Sequence, residues 1–156
     1  MPIENHFSVI ELPVLSWPSP LDVPSRRFRL FVAADVTGTP TEVISAFAHA
    51  ALRAGMVYFC AWGPDCSRFH DIVDLVLVRD ELNDRLFVGA SEEDTILTTW
   101  HEKESLTDAL DFFVGWAYPT DGFETDSNYW VALCLNNAEW TATMRRRLGQ
   151  AAVKDG

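Results

Sequence analysis

Residues 28–62 read FRLFVAADVTGTPTEVISAFAHAALRAGMVYFCAW, and this stretch decides the fold class. Residues 28–34 form a short apolar run that is typical of a buried strand. A helix start follows, because Thr39 can cap, Pro40 suits the first helical position and Glu42 lies three residues after the cap. Gly55 is placed to end that helix, and a second apolar run follows it. Two strands joined by a helix in this way are expected to be parallel.

The same alternation continues to the end of the chain. Gly63 and Pro64 force a turn before a second helix, in which apolar residues recur at the i, i+3, i+4, i+7 spacing. Residues 95–100 and 129–135 are strand-like, and a capped helix follows each of them. The sequence therefore predicts an α/β domain with an open, mostly parallel sheet of four or five strands and helices on both faces. This is a three-layer arrangement of flavodoxin-like or Rossmann-like order, and we expect the four strands in the order 2-1-3-4.

The first 27 residues differ from the rest and are expected to be extended, because they contain Pro13, Pro18, Pro20 and Pro24. We expect residues 1–27 to pack on a single α/β domain of residues 28–149, with residues 150–156 as a tail. Residues 9–12 or residues 86–88 could add an edge strand to the sheet.

Charge restricts the classes of partner. The net charge is −11 and the pI is near 4.6, so nucleic acids and anionic membranes are not expected to bind. The basic run Arg145, Arg146 and Arg147 is expected to complement the negative C-terminal end of the last helix. No apolar run reaches the ~18 residues that a membrane span needs. A cytoplasmic protein is the simplest interpretation.

Common catalytic and cofactor motifs are missing from the sequence. It has no GxGxxG or GxxxxGK[ST] phosphate-binding loop and no GxSxG nucleophile elbow, so no cofactor is expected. The stretch WGPDC at 62–66 resembles the WCGPC turn of thioredoxin-like proteins, but Gly63 stands where the attacking cysteine should be. Cys60, Cys66 and Cys134 form neither a disulfide framework nor a metal knuckle, and reduced thiols are expected.

Polar residues follow the predicted strands at their carboxyl ends, which meet at one edge of a parallel sheet, where ligands bind. The candidate catalytic residues at this edge are Asp35, Cys66, His70, His101 and Glu102. The candidate ligand-binding residues are Trp62, Asp65, Trp100 and Asn136. Asp65 and Asn137 also have a structural explanation, because Asp and Asn commonly cap helices at such turns.

Two kinds of chemistry are open at this edge. Cys66 lies in the first turn of a predicted helix, where the dipole favours a thiolate, and His70 could pair with it one turn later. A packed thiol and a hydrogen-bonded core histidine explain the same two positions. A divalent ion could instead be held by four donors that lack a diagnostic spacing such as HExxH: Asp35, Asp65, His101 and Glu102.

Three segments resemble a family of short uncharacterised bacterial proteins that contain a domain of unknown function. They are AWGPDC at 61–66, FHD at 69–71 and TTWHE at 98–102, and the resemblance covers residues 28–136. It implies a bacterial, cytosolic origin and no particular activity.

Two functions remain open on this evidence. The favoured one is a non-enzymatic binding or accessory module that docks a basic protein surface or a small molecule, because the chain is acidic and contains six Trp residues. The alternative is a small hydrolase or a metal-dependent enzyme. It would use His101 as acid–base, Asp35 and Glu102 as ligands or base, and Cys66 as nucleophile.

Overall fold

The computed structural model describes residues 7–19, 21, 23–79, 95–124 and 127–155. The strands within them are β1 (Phe7–Leu12), β2 (Phe28–Ala33), β3 (Met56–Trp62), β4 (Leu97–Trp100) and β5 (Trp130–Leu135). The helices within them are α1 (Thr41–Ala54), α2 (Cys66–Arg79), α3 (Leu106–Gly115), α4 (Asp121–Glu124) and α5 (Ala138–Asp155).

The five strands form one open sheet in the order β1-β5-β2-β3-β4, and every neighbouring pair is parallel. Apolar cores lie on both faces of the sheet beneath helices. The predicted fold class, a three-layer α/β domain with an open parallel sheet, is confirmed. The predicted strand order 2-1-3-4 is wrong, because β2 lies between β5 and β3 and not between β3 and β4.

The observed order follows from the face that each helix covers. α1 and α2 pack together on one face, and α3 and α5 pack together on the other. Right-handed crossovers on opposite faces carry the chain in opposite directions across a sheet. The chain therefore adds β3 and β4 on one side of β2, and α3 returns it to place β5 on the other side. The direction in which strands are added to the sheet therefore reverses after the second strand–helix unit, whereas the predicted order reverses after the first.

The central strand β2 separates the two cores, and all of its residues are buried. Leu30 and Val32 belong to the core beneath α1 and α2, whereas Phe31 and Ala33 belong to the core beneath α3 and α5. Successive side chains of a strand point to opposite faces, so an unbroken apolar run is what a strand covered on both faces requires.

The segment before β2 adds the edge strand. β1 pairs with β5 from Phe7 to Leu12, which confirms the strand predicted at residues 9–12. The other predicted strand, at residues 86–88, lies outside the described residues. Further along the segment, the Trp17 ring stacks on Phe28, with 5.7 Å between ring centroids, and also contacts Phe47.

The last helix is longer than its pattern indicated. α5 extends to Asp155, and Ala151 and Ala152 are buried within the stretch that we expected to be a tail. Arg145, Arg146 and Arg147 therefore lie in the middle of the helix. Their expected role at its negative C-terminal end is wrong, because the dipole acts only within the last turn. None of the helices in the described residues is both long and apolar enough to cross a bilayer.

A buried arginine attaches the connection between α3 and β5 to the sheet. Arg29 of β2 is 5 % exposed, and its Nε donates to the carbonyl of Ser127 at 3.1 Å. Its Nη1 donates to the carbonyl of Ala117 at 3.2 Å, and its Nη2 donates to Asn128 Oδ1 at 3.4 Å. The guanidinium also lies over the ring of Tyr118. One side chain therefore satisfies carbonyls on both sides of α4.

We predict that Arg29→Met lowers the free energy of unfolding by about 2–4 kcal/mol, because two buried carbonyls lose their donor while the volume is largely kept. Urea unfolding measures the loss. The control is Arg53→Met at the exposed end of α1, which should change stability by less than about 0.5 kcal/mol. Equal effects of the two substitutions would show that Arg29 has no such structural role.

Candidate functional site

The carboxyl edge of the sheet contains two places where neighbouring strands lead into helices on opposite faces. One lies between β2 and β5, and the other lies between β3 and β4. Loops diverge at such points, and open α/β sheets bind their ligands there. The candidate residues divide between the two places. Asp35 and Asn136 follow β2 and β5, and the others lie around β3, β4 and α2: Trp62, Asp65, Cys66, His70, Trp100, His101 and Glu102.

The residues between β2 and β5 stabilise backbone turns. Asp35 Oδ1 accepts the backbone N–H of Thr37 at 2.9 Å. Asn136 has a left-handed backbone, and its N–H donates to the carbonyl of Leu12 at 2.7 Å. Asn137 Oδ1 accepts the N–H of Trp140 and caps α5. The predicted capping role of Asn137 is confirmed.

The turn between β3 and α2 lies close against the end of β2. Gly63 has φ 120°, and a Cβ there would approach the carbonyl oxygen of Ala34 to 2.2 Å, so this turn requires glycine. Asp65 also has a left-handed backbone, and its carboxylate is 3.5 Å from Arg68. Arg68 in turn donates to the carbonyl of Thr39 at 2.6 Å. Asp65 therefore belongs to a network that joins the β3–α2 turn to the start of α1.

His70 connects α2 to β4. Its Nδ1 is 3.0 Å from Asp71 Oδ1, and its Nε2 is 2.9 Å from Thr98 Oγ1. The Thr98 hydroxyl donates to Asp74 Oδ1 at 2.5 Å, so it must accept from His70 Nε2–H. Asp71 lies at the other ring nitrogen, so both nitrogens of His70 are engaged within the chain. The Trp100 ring packs on the imidazole, with centroids 4.4 Å apart.

His101 forms a second network on the opposite face of β4. Its Nδ1 is 2.7 Å from Glu104 Oε2, and its Nε2 is 3.0 Å from Thr99 Oγ1. Thr99 donates its hydroxyl proton to Cys60 Sγ at 3.3 Å, so it accepts from His101 Nε2–H. His101 is 6 % exposed, and Phe112 packs against its ring. Both ring nitrogens of each histidine therefore have a partner within the chain.

The cysteines are buried and free. Burial raises the pKa of the Cys60 thiol to about 12 and also raises the pKa of the Cys66 thiol. Both ring nitrogens of His70 are engaged with Asp71 and Thr98, so the geometry does not support a Cys66–His70 pair. Cys66 is instead part of the core beneath α1 and α2.

The tryptophans at this edge differ in exposure. Trp62 donates its Nε1–H to the carbonyl of Glu104 at 2.9 Å and packs edge-on against Trp140. Trp100 is 47 % exposed, and the imidazole that it packs on also contacts two carboxylates. They belong to Asp71, whose side chain is 77 % exposed, and Asp74, whose side chain is 47 % exposed. We call Trp100, Asp71 and Asp74 the Trp100 surface.

The proposed metal donors do not come together. Within the described ranges, no group of three or more His, Cys, Asp or Glu side chains could hold a metal ion. Asp35 and Asp65 stabilise turns, and His101 binds Glu104 and Thr99. Glu102 is exposed in the turn after β4. The metal alternative therefore has no geometric support in this part of the chain.

The sequence reasoning missed the partners of both histidines: Thr98, Thr99, Asp74 and Glu104. Two signals were present. Adjacent threonines in a strand point to opposite faces, and Glu104 follows His101 at a three-residue spacing. The partner of Thr98 could not be found in this way, because it depends on β4 lying beside β3 and beneath α2.

The comparisons with known proteins give a family and no activity. The family model described as a domain of unknown function (DUF7684) matches residues 11–151, which include both histidine networks. No curated protein matches the chain. No solved structure matches it either. The bacterial origin stays a prediction.

We predict that the three thiols react slowly with a thiol reagent in the native protein and fully in denaturant, because all three are buried.

Stability should also fall as the pH rises above about 9. The unfolded chain loses the Cys60 proton there, whereas the folded chain keeps it until about 12. Cys60→Ala should make this decline shallower by about 1.4 kcal/mol per pH unit. Urea unfolding from pH 8 to 10.5 measures the slopes, and equal slopes would contradict the buried thiol.

We predict that Mg²⁺, Mn²⁺ and Zn²⁺ leave the melting temperature unchanged, because His101 is a structural residue. His101→Ala should lower the free energy of unfolding by about 1–3 kcal/mol, since Thr99 and Glu104 lose their partner. Thermal unfolding with and without each ion tests both expectations. A stabilising shift that His101→Ala removes would instead indicate a metal site.

Proposed function

The chain belongs to the DUF7684 family, and we propose that it is a non-catalytic binding module that docks a basic segment of a partner protein. The docking site is the Trp100 surface, at the carboxyl end of β4.

The state of the candidate catalytic residues supports this proposal. Both ring nitrogens of His70 and of His101 are engaged within the chain, and the thiol of Cys66 is buried. A general base needs an unprotonated atom within reach of a substrate, and a nucleophile needs both access and activation. These residues instead join β4 to the elements around it.

The exposed indole of Trp100 carries the proposal. The ring packs on His70 and almost half of the residue is exposed, and two carboxylates contact the same imidazole. A Lys or Arg side chain placed there would meet an indole face and a carboxylate oxygen together. Asp71 and Asp74 are the two acidic side chains of this surface, and both are exposed.

The charge of the whole chain supports the same class of partner. A net charge of −11 attracts a basic segment from a distance and speeds the encounter, while it repels nucleic acids. Charged pairs at the rim of an interface contribute mainly to the association rate, whereas a desolvated Trp commonly supplies much of the binding energy.

One observation favours a hydrolase as the second candidate. Glu104, His101 and Thr99 follow one another in the carboxylate–imidazole–hydroxyl order of a nucleophilic triad. This function requires Thr99 to give its proton to His101, whereas the hydroxyl donates to Cys60. Covalent labelling of Thr99 by a fluorophosphonate, abolished by His101→Gln, would favour the hydrolase.

We predict that a synthetic oligo-arginine peptide binds the full chain and that Trp100→Ala weakens binding by about tenfold, because an indole–cation contact is lost. Asp71→Asn should weaken it further and reduce its dependence on salt. Fluorescence anisotropy of a labelled peptide measures both effects. The measurements are made at about 20 mM and about 150 mM salt, because the higher salt screens surface charges over a shorter distance.

The matched control is Trp116→Ala, because Trp116 is 74 % exposed beyond the end of α3 and away from this edge. It should leave peptide affinity unchanged. Circular dichroism and urea unfolding confirm that Trp100→Ala remains folded. Equal affinities for the wild type and Trp100→Ala would eliminate the Trp100 surface as the docking site.

A further inference from the structure

A second charged surface lies on the outward face of α5. An open hollow of about 760 Å³ is lined by Arg145, Arg146, Arg147, Gly149, Gln150 and Val153. The opposite face of α5 is buried through Met144, Leu148 and Ala151. We call these six lining residues the arginine hollow.

The arginine hollow has the chemistry of a site for an acidic occupant. Arg147 forms an ion pair with Asp111 on α3. Arg145 and Arg146 are exposed, and no ion pair to either is found within the residues that the structure describes. Val153 is 72 % exposed and adds an apolar part to the same hollow. The occupant should therefore carry carboxylates beside an apolar or aromatic group.

The Trp100 surface has this composition, but it cannot reach the hollow of its own chain. β4 is at one end of the strand order, whereas α5 contacts β1 at the other end. A second copy of the chain can bring the two surfaces together. Since the two surfaces are different, the contact is head to tail and leaves one of each surface free on every pair.

We propose that the arginine hollow docks the Trp100 surface of a second copy of this chain, so that copies associate head to tail. This inference rests on the proposed function, because it names the basic partner that the Trp100 surface takes. Trp100 would lie against Val153 and Gly149, and Asp71 would face Arg145 and Arg146. Both ion pairs lie at the surface, so association should weaken as salt rises.

Sedimentation velocity of the full chain across protein concentration and salt tests the proposal. We expect dimers and longer species at low salt that dissociate at high salt. Arg145→Glu with Arg146→Glu should abolish association, as should Trp100→Ala with Asp71→Asn. The control is Arg53→Glu with Arg79→Glu, which changes the net charge equally at exposed positions on α1 and α2 and should associate like the wild type.

Mixing the two blocked variants separates a head-to-tail contact from other contacts. The variant with Arg145→Glu and Arg146→Glu (the arginine variant) keeps its Trp100 surface. The variant with Trp100→Ala and Asp71→Asn (the tryptophan variant) keeps its arginine hollow. An equimolar mixture should form one-to-one pairs and nothing longer. A mixture that stays monomeric, or that forms species longer than pairs, would overturn the proposal.

The remaining outcomes distinguish this inference from the proposed function. A wild type that stays monomeric at low salt overturns head-to-tail association, and the proposed function survives if the oligo-arginine peptide still binds through Trp100. If the peptide does not bind either, both fail. If the arginine variant loses association but the tryptophan variant keeps it, the hollow has another occupant. That result would overturn the pairing of the arginine hollow with the Trp100 surface. So would a monomeric wild type that binds a short RNA or anionic vesicles through Arg145 and Arg146.

Discussion

The candidate site depends on how β4 is fastened to the rest of the sheet. This strand pairs with β3 through four residues, and two hydroxyls hold it from opposite faces. Thr98 joins it to His70 on α2, and Thr99 joins it to His101 and Cys60. Each histidine is oriented by a carboxylate, so the strand is positioned by two short side-chain networks as well as by backbone pairing. Because such networks are partly shielded from water, each bond in them is stronger than it would be at the surface.

The same networks decide which residues are available to a partner. A histidine that orients a strand through both ring nitrogens cannot also accept a proton from a substrate without breaking one of those bonds. The ring of Trp100 packs on the imidazole of His70, so the network that holds His70 also holds Trp100 in place. It leaves neither ring nitrogen of His70 available as a catalytic base. An aromatic side chain held in one orientation loses little conformational entropy when it binds, which favours it as an anchor. The observed contacts therefore assign His70 to positioning β4 and Trp100.

The sequence predicts most of the parts of this structure that local patterns determine. The Thr39 cap is wrong, because Pro40 is the N-cap of α1 and no side chain caps that helix. The apolar runs of β2 and β3, the glycine that ends α1 and the cap of α5 all depend on neighbouring residues, and each was found. The strand order depends on the face that α2 covers, which periodicity does not specify. For the same reason, the partnership of His70 with Thr98 was not predictable, because 28 residues separate them. Arg29 was missed because a charge inside an apolar run gives no sign of the distant carbonyls that it binds.

The acidity of the carboxyl edge has an origin that is independent of any partner. In a parallel sheet with helical crossovers, the helices run back against the strands, and their first turns lie at the carboxyl edge. Acidic residues stabilise those first turns, and they occur there as Glu42, Asp108 and Glu139. Helix chemistry alone therefore gives this edge part of its negative charge, and its acidity is weak evidence for binding. An indole left almost half exposed stabilises no helix, so the position of Trp100 at this edge is independent of that helix chemistry and follows from its packing on His70.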